Sequence, residues 1–266
     1  MNLDNGQIRR NFSNHANEYD RYAQVQKKVA EKLVTMATAD PISGAVLDIG
    51  TGTGAVGTRL LERFPDISLT VSDLAHEMTL SAHLNLAGSF AVDADARRLP
   101  FRSDTFGLVL SSSVYQWVED LKAAFDETCR ILQPGGRFAL ALFSTGTLHE
   151  LEDVFRRSLQ QNGSQRPFHF QSFPEEDAVC QALDEAGFSQ IESMVKTEEE
   201  YHDSFRDLLV GLKKIGAQNA SINKSTGLFP RRVLLEMEQL YRHHYRSEKG
   251  VRATYNVLYV ICQKGL

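Results

Sequence analysis

Short aliphatic runs alternate with stretches of helical spacing over most of the chain. Runs near residues 45–50, 68–72, 89–93, 106–112 and 136–143 predict strands, and segments near 55–64, 75–84 and 121–132 predict the helices between them. This order predicts βαβ units and a parallel sheet, an α/β fold. Runs so uniformly apolar suit strands covered on both faces. Ahead of them, Val25, Val29, Leu33 and Met36 recur at helical spacing within Ala23–Ala37, an amphipathic helix laid on the sheet. Pro134-Gly135-Gly136 ends the helix at Leu132 and turns the chain into the fifth strand. Helices near 147–162 and 175–186, a strand near 188–198 and a last strand over Ala253–Gln263 complete the pattern. Between the last two strands lie about fifty residues with helical patterns near 203–216 and 229–246, separated by the polar stretch Asn219–Gly227, which reads as a loop.

The first strand carries the chemistry. Ala45-Val46-Leu47-Asp48-Ile49 runs into Gly50-Thr51-Gly52-Thr53-Gly54, where glycines at a strand's carboxyl end let the backbone turn tightly and approach a ligand. Such sheets bind nucleotides in the crevice above that end. Gly52-x-Gly54-x-x-Gly57, with Asp73 19 residues past Gly54, also satisfies a dinucleotide fingerprint. Asp48-x-Gly50-x-Gly52-x-Gly54 is a tighter pattern and suits a ligand bearing an amino acid. Backbone groups of Gly50 and Gly52 can meet its ammonium and carboxylate, and Asp48 offers negative charge from the same mouth. The strands ending at Asp73 and near Asp93 and Asp95 decide between the two. A carboxylate at Asp73 can take both hydroxyls of a ribose, and Leu74 and Met78 can wall an adenine.

The acid and glycines resemble motif I of the class I S-adenosylmethionine-dependent methyltransferases, and Asp95-x-x-x-Leu99-Pro100-Phe101 resembles the segment whose acid meets the adenine amino group. Within that class the chain resembles the malonyl-[acyl-carrier protein] O-methyltransferases of biotin biosynthesis. The resemblance is carried by Phe12-x-x-x-Ala16-x-x-Tyr19-Asp20-x-x-Ala23-x-x-Gln26, by Ser111–Asp120, by Phe143–Leu151, by Leu209-x-x-Leu212-Lys213-x-Ile215-Gly216-Ala217 and by Thr254-Tyr255-Asn256-x-Leu258. It departs at Thr51, where cysteine is frequent, at Gly107, where aspartate is usual, and over 218–227, which lacks a basic lead-in. The resemblance implies a class I (Rossmann-like) seven-stranded sheet, mostly parallel with an antiparallel last strand, and a helical cap inserted before it. The core is then 1–200 and 251–266, with an N-terminal helix over 12–37, and the cap is 201–250. S-adenosylmethionine is the implied cofactor, held by Asp48, Gly50, Thr51, Gly52, Asp73, Leu74, Met78, Asp95, Ala96, Ser111 and Ser112. Tyr19 is implied to close the site over the sulfonium, with Gln116 and Trp117 at the substrate. The substrate is a malonyl thioester whose free carboxylate attacks without a general base. The other readings are a class I enzyme for another small acid or a quinone precursor, and a non-catalytic nucleotide sensor.

Composition sets the setting. Net charge is −5, yet residues 205–266 hold eleven Lys and Arg against four Asp and Glu, a balance of +7 that leaves −12 elsewhere. This asymmetry points to an acidic partner, for which the resemblance supplies an acyl carrier protein. Lys213, Lys214, Arg231 and Arg232 are its expected contacts, with Arg242 and Arg246 beside them. Cys129, Cys180 and Cys262 form no Cys-x-x-Cys pair, which predicts a reducing cytosol rather than a disulfide framework. The eight histidines lack metal-ligand spacing, so no metal is expected, and Phe168-His169-Phe170 reads as a packed or loop histidine. No apolar core at Met1–Gly6 marks a leader, and no run nears the ~18 residues of a membrane span. A cytoplasmic monomer without nucleic-acid or membrane partners is the expectation.

Overall fold

The computed structural model describes residues 5–162, 171–216 and 231–265. Asn219–Gly227 and Phe168–Phe170 lie outside them. Helices α1 (Asn5–Tyr22) and α2 (Gln24–Ala37) precede the alternating part: β1 (Ala45–Ile49), α3 (Ala55–Arg63), β2 (Leu69–Asp73), α4 (His76–Asn85), β3 (Phe90–Asp93), β4 (Phe106–Ser112), α5 (Leu121–Ile131) and β5 (Leu132–Phe143). Helices α6 (His149–Gln161) and α7 (Glu176–Glu185) lead to β6 (Phe188–His202). Then come α8 (Phe205–Lys214), α9 (Arg231–His244), the two-residue β7 (Arg246–Ser247) and β8 (Gly250–Lys264).

The sheet runs β3-β2-β1-β4-β5-β8-β6, with β7 paired to β8 off that path. Pairs among β1 to β5 are parallel, and β8 is antiparallel to both β5 and β6. Chain order reverses between β1 and β4, which opens the crevice where such sheets receive ligands. Strand alternation splits the core between the two faces. Val46, Leu108 and Ala139 pack with α2 on one face, together with Leu208, Leu212, Val233 and Tyr241 of the inserted helices. Leu47, Val109 and Leu140 pack with Phe125 and Val179 on the other.

Two boundaries differ from the sequence pattern. β5 begins at Leu132 rather than 136, because Leu132 pairs with Phe106 before a register shift brings Arg137 opposite Leu108. The Pro-Gly-Gly turn is thus a bulge inside the strand. The N-terminal helix starts at Asn5 rather than 12, and it breaks at Ala23 (φ −85°, ψ 46°). Side chains take up the carbonyls that the break frees: Gln24 Nε2 donates to Asp20 O (3.3 Å) and Arg21 O (3.2 Å), and Lys27 Nζ to Asp20 O (2.7 Å).

β8 pairs with β5 only from Val257 on, while β6 follows it from Val251. Where β5 has ended, the segment Ser144–Glu150 takes over that edge. Ser144 N donates to Asn256 O (2.8 Å), Leu148 N to Thr254 O (2.7 Å) and Asn256 N to Thr147 Oγ1 (3.0 Å). The fully buried Glu150 carboxylate accepts from Thr254 N (3.2 Å), from the Thr254 hydroxyl and from Arg252 Nε (3.2 Å).

The glycine at 107 has a local cause. A Cβ there would stand 1.7 Å from the Ser43 carbonyl oxygen, so no larger residue fits beside this loop. Gly107→Ala is therefore expected to destabilise the protein by about 1–3 kcal/mol, as overpacking does. The urea midpoint measures this, and an unchanged midpoint would show that the Ser43 loop yields freely.

Candidate active site

Three neighbouring clefts open above β1 and β4. The largest of the three encloses about 810 Å³, counted out into the solvent at its open mouth. Gly50 and Gly52 floor it, Asp73, Leu74 and Met78 form one wall, and Asp95 and Ala96 form another. Ser112, Ser113 and Val114 close it from the β4 side. Helix α1 roofs it with Ile8, Arg9, Phe12 and Tyr19. A second cleft of about 440 Å³ lies against the first and shares Phe12, Tyr19, Ser113 and Trp117 with it. A third, of about 390 Å³, runs from Gly50–Thr53 to Asp20, Gln26 and Lys27, again past Tyr19.

The glycine turn is built to sit against a ligand. Gly50 (φ +69°) and Gly52 (φ +56°) are left-handed, where side chains are strained. A Cβ on Gly50 would fall 2.2 Å from Val114 Cγ2, while one on Gly52 would meet nothing nearer than Tyr19 at 4.0 Å. Gly52 thus presents bare backbone to the cleft. Its N–H donates to Asp73 Oδ2 (3.0 Å), and Ala75 N–H donates to Asp73 Oδ1 (2.9 Å), so the carboxylate is aimed by two backbone donors. Thr53 Oγ1 donates to Asp20 Oδ1 (2.7 Å), tying the turn to α1.

Burial governs the charges. It raises Asp73 to about 6 against the pull of its backbone donors, and it raises Asp48 to about 7, with Asp73 adding repulsion. The Tyr19 hydroxyl is pushed far above the ordinary phenol value by burial, and Asp73 and Asp20 push it further, so it is neutral at physiological pH. Arg97 grips Asp95 through Nε (3.0 Å) and Nη2 (2.7 Å), and this pairing holds the carboxyl below the usual range. The buried Asp48 carboxyl has the Thr51 hydroxyl beside it, which pulls against the effect of burial, and Ser112 Oγ and Ser113 Oγ are buried without a hydrogen-bond partner in the protein. Buried polar atoms are rarely left so, and around a cleft they fit a polar, cationic ligand.

The structure gathers most of the expected residues and displaces a few. Gly50, Gly52, Asp73, Leu74, Met78, Asp95, Ala96 and Ser112 line the first cleft, Thr51 the third, Gln116 the second, and Trp117 the first two. Ser111 does not reach any of them. Strand alternation turns it inward, where its hydroxyl donates to Ile49 O (2.8 Å) and ties β4 to β1. Asp48 also lines none of the three clefts, and its side chain is fully buried. Lys214 is bound to Glu18 of α1, while Lys213, Arg231 and Arg232 are exposed. Sequence reasoning missed Ile8, Arg9, Ser113, Val114 and Gln171. Ser113 and Val114 fell inside a quoted motif, whereas Gln171 has no local signal at all.

This sheet order, glycine turn and strand-end acid define a class I methyltransferase. A methyltransferase-domain model matches residues 47–140. A malonyl-[acyl-carrier protein] O-methyltransferase from Geobacter sulfurreducens is 39% identical over 97% of this chain and 98% of its own length. Another, from Hahella chejuensis, is 34% identical over 96% and 89%. The chain belongs to the malonyl-[acyl-carrier protein] O-methyltransferase family. A biotin biosynthesis bifunctional protein from Teredinibacter turnerae is 30% identical over 97% of this chain and 47% of its own. Among solved structures, the YcgJ protein from Bacillus subtilis shares the fold with a TM-score of 0.61 at 14% identity, covering 90% of this chain and 99% of that one. Among the described residues no helix is long and apolar enough to cross a membrane.

The raised acids give a pH signature. Between the ordinary carboxyl range and about 7, folded Asp48 holds a proton that the unfolded chain has released, so its burial costs stability as pH rises through that window. Asp48→Asn removes this titration. The variant should gain on the wild type between pH 5 and 8 by on the order of 2 kcal/mol, read from urea unfolding at both pH values. A difference that does not change with pH would mean that Asp48 titrates normally.

Proposed function

We propose that the protein methylates the free carboxylate of a malonyl group carried as a thioester on an acyl carrier protein, at the entry to biotin synthesis. The observation that carries this is the character of the second cleft. Among the described residues its lining holds no Asp, Glu, His, Cys, Lys or Arg, and its one titratable type is tyrosine. An alcohol, phenol or amine acceptor needs a base to release its proton. An ionised carboxylate brings its own nucleophile and needs only positioning and exclusion of water.

S-adenosylmethionine, when bound, supplies a methyl group on a positively charged sulfur. Asp73 would take the ribose hydroxyls, its orientation already set by the Gly52 and Ala75 N–H groups. Leu74, Met78 and Ala96 would enclose the adenine beside Asp95, and Gly50, Gly52 and Thr51 would face the amino-acid end. Asp73, raised only to about 6, keeps its charge at neutral pH and makes this end of the cleft negative, which favours a cationic ligand. Tyr19 borders all three clefts and so stands where donor and acceptor must meet. With its hydroxyl neutral, it positions and shields rather than abstracts a proton. The free cysteines suit a reducing, cytoplasmic setting.

Two experiments test the reading. Malonyl carrier protein should be methylated and acetyl carrier protein should not. Transfer to a catechol or quinone precursor instead, with none to the malonyl thioester, would sink the proposal. For the carrier, Lys213, Arg231, Arg232, Arg242 and Arg246 are all exposed, and complementary charge acts mainly on association. Reversing Arg231 and Arg232 to Glu should lower kcat/KM for malonyl carrier protein about tenfold or more while sparing malonyl-coenzyme A. Equal losses on both substrates would assign these arginines to the phosphate-bearing arm or to cap stability.

A further inference from the structure

We infer that Gln116 and Gln171 grip the pantetheine arm of the acceptor by accepting hydrogen bonds from its amide N–H groups. The inference rests on the reading that a malonyl thioester enters the second cleft. Both glutamines line that cleft, and they are only 4% and 5% exposed. The Oε1 atom of each has no hydrogen-bond partner in the protein. Their orientation is fixed by the other end of each amide. Gln116 Nε2 donates to Ser113 O (2.8 Å), and Gln171 Nε2 donates to Gln116 O (3.2 Å). A backbone carbonyl only accepts, so the NH₂ groups must face those partners and the carbonyl oxygens are left over.

Two buried, unpartnered acceptors on side chains that line one cleft call for a ligand that brings donors. A malonyl carboxylate brings only acceptors and would be repelled there. The arm behind the thioester sulfur is different, since it carries secondary amides separated by methylenes. Its N–H groups match the two Oε1 atoms, and Phe143, Leu148, Phe173 and Leu212 offer apolar contact to the methylenes. The carboxylate end then falls at the junction with the first cleft. There the Ser113 hydroxyl, also without a partner, and the neutral Tyr19 hydroxyl can donate to it. The site thus sorts the two ends of its substrate by hydrogen-bond polarity: donors for the carboxylate, acceptors for the arm.

The test compares malonyl-pantetheine with an analogue in which an ester oxygen replaces the N–H of the amide nearest the sulfur, and then with one altered at the second amide. For the wild type, at least one replacement should lower kcat/KM about tenfold through KM. Calorimetric titration of the S-adenosylhomocysteine-bound protein should show the same loss without turnover. In Gln171→Met or Gln116→Met, whichever faces the altered amide, the amide and ester thioesters should become equivalent. Thermal unfolding and S-adenosylhomocysteine affinity check that each variant is folded. Equal use of amide and ester thioesters by the wild type would overturn the assignment and leave the glutamines to water. Discrimination that persists in both variants would overturn it too. If neither thioester is methylated and malonyl carrier protein is also refused, the proposed function itself has failed.

Discussion

One hydrogen bond organises the site: Gly52 N–H to Asp73 Oδ2 at 3.0 Å. It joins the turn after β1 to the end of β2, so the glycine backbone and the strand-end carboxylate keep one relative position. Gly52 can serve only because its left-handed backbone carries no Cβ, and Asp73 only because burial fixes it there at a cost to its own ionisation. The first cleft is shaped around this pair. The same arrangement that holds Asp73 rigid keeps it poorly solvated, which leaves its charge strong toward a cationic ligand. Structural order and electrostatic affinity here have one cause.

The aromatic side chains shared by the first two clefts, Phe12, Tyr19 and Trp117, are held together by the placement of α1. Phe12 stacks edge-on against Trp117 with ring centres 5.8 Å apart, and it lies 6.4 Å from Tyr19. A Cβ on Gly216, just past α8, would come within 3.1 Å of the Phe12 ring. α1 is thus clasped between the 3-10 turn after β4 and the inserted helices, and Lys214 of α8 reaches Glu18 to reinforce the clasp. Leu212 of α8 and Ile215 just past it line the second cleft, and α9 packs on α6.

Much of this was legible because strand ends announce themselves. Aliphatic runs closing on Asp48, Asp73 and Asp95 gave the sheet, the cleft and most of its lining. What misled was the sense of individual side chains. Ser111, Ser112 and Ser113 are chemically alike in sequence; alternation along β4 turns Ser111 toward Ile49 and Ser112 to the cleft, and Ser113 joins Ser112 there because the strand has ended and its backbone is left-handed (φ +61°). Asp48 reads as a mouth residue, yet a parallel strand buried on both faces has no wet side for it. α1 was only partly visible because it is mostly polar, with Ile8, Phe12, Tyr19 and Tyr22 too few to mark its start. Gln171 reaches the cleft through a loop, where no periodicity exists to be read.

The loop that replaces β5 beside β8 has a consequence for how the molecule behaves in a crowded solution. An unpaired strand edge is a template on which another chain can grow a sheet. β8 outlasts its neighbour by several residues, and the Ser144–Glu150 segment occupies that stretch with backbone and carboxylate hydrogen bonds. The sheet path therefore ends in two other places. One is β3, four residues long, and the other is β6, whose exposed positions include Glu192, Lys196 and Glu199. Shortness limits pairing at the first edge and charge limits it at the second, while exposed Phe90 on β3 and Met194 and Val195 on β6 are the apolar side chains that these two devices have to offset.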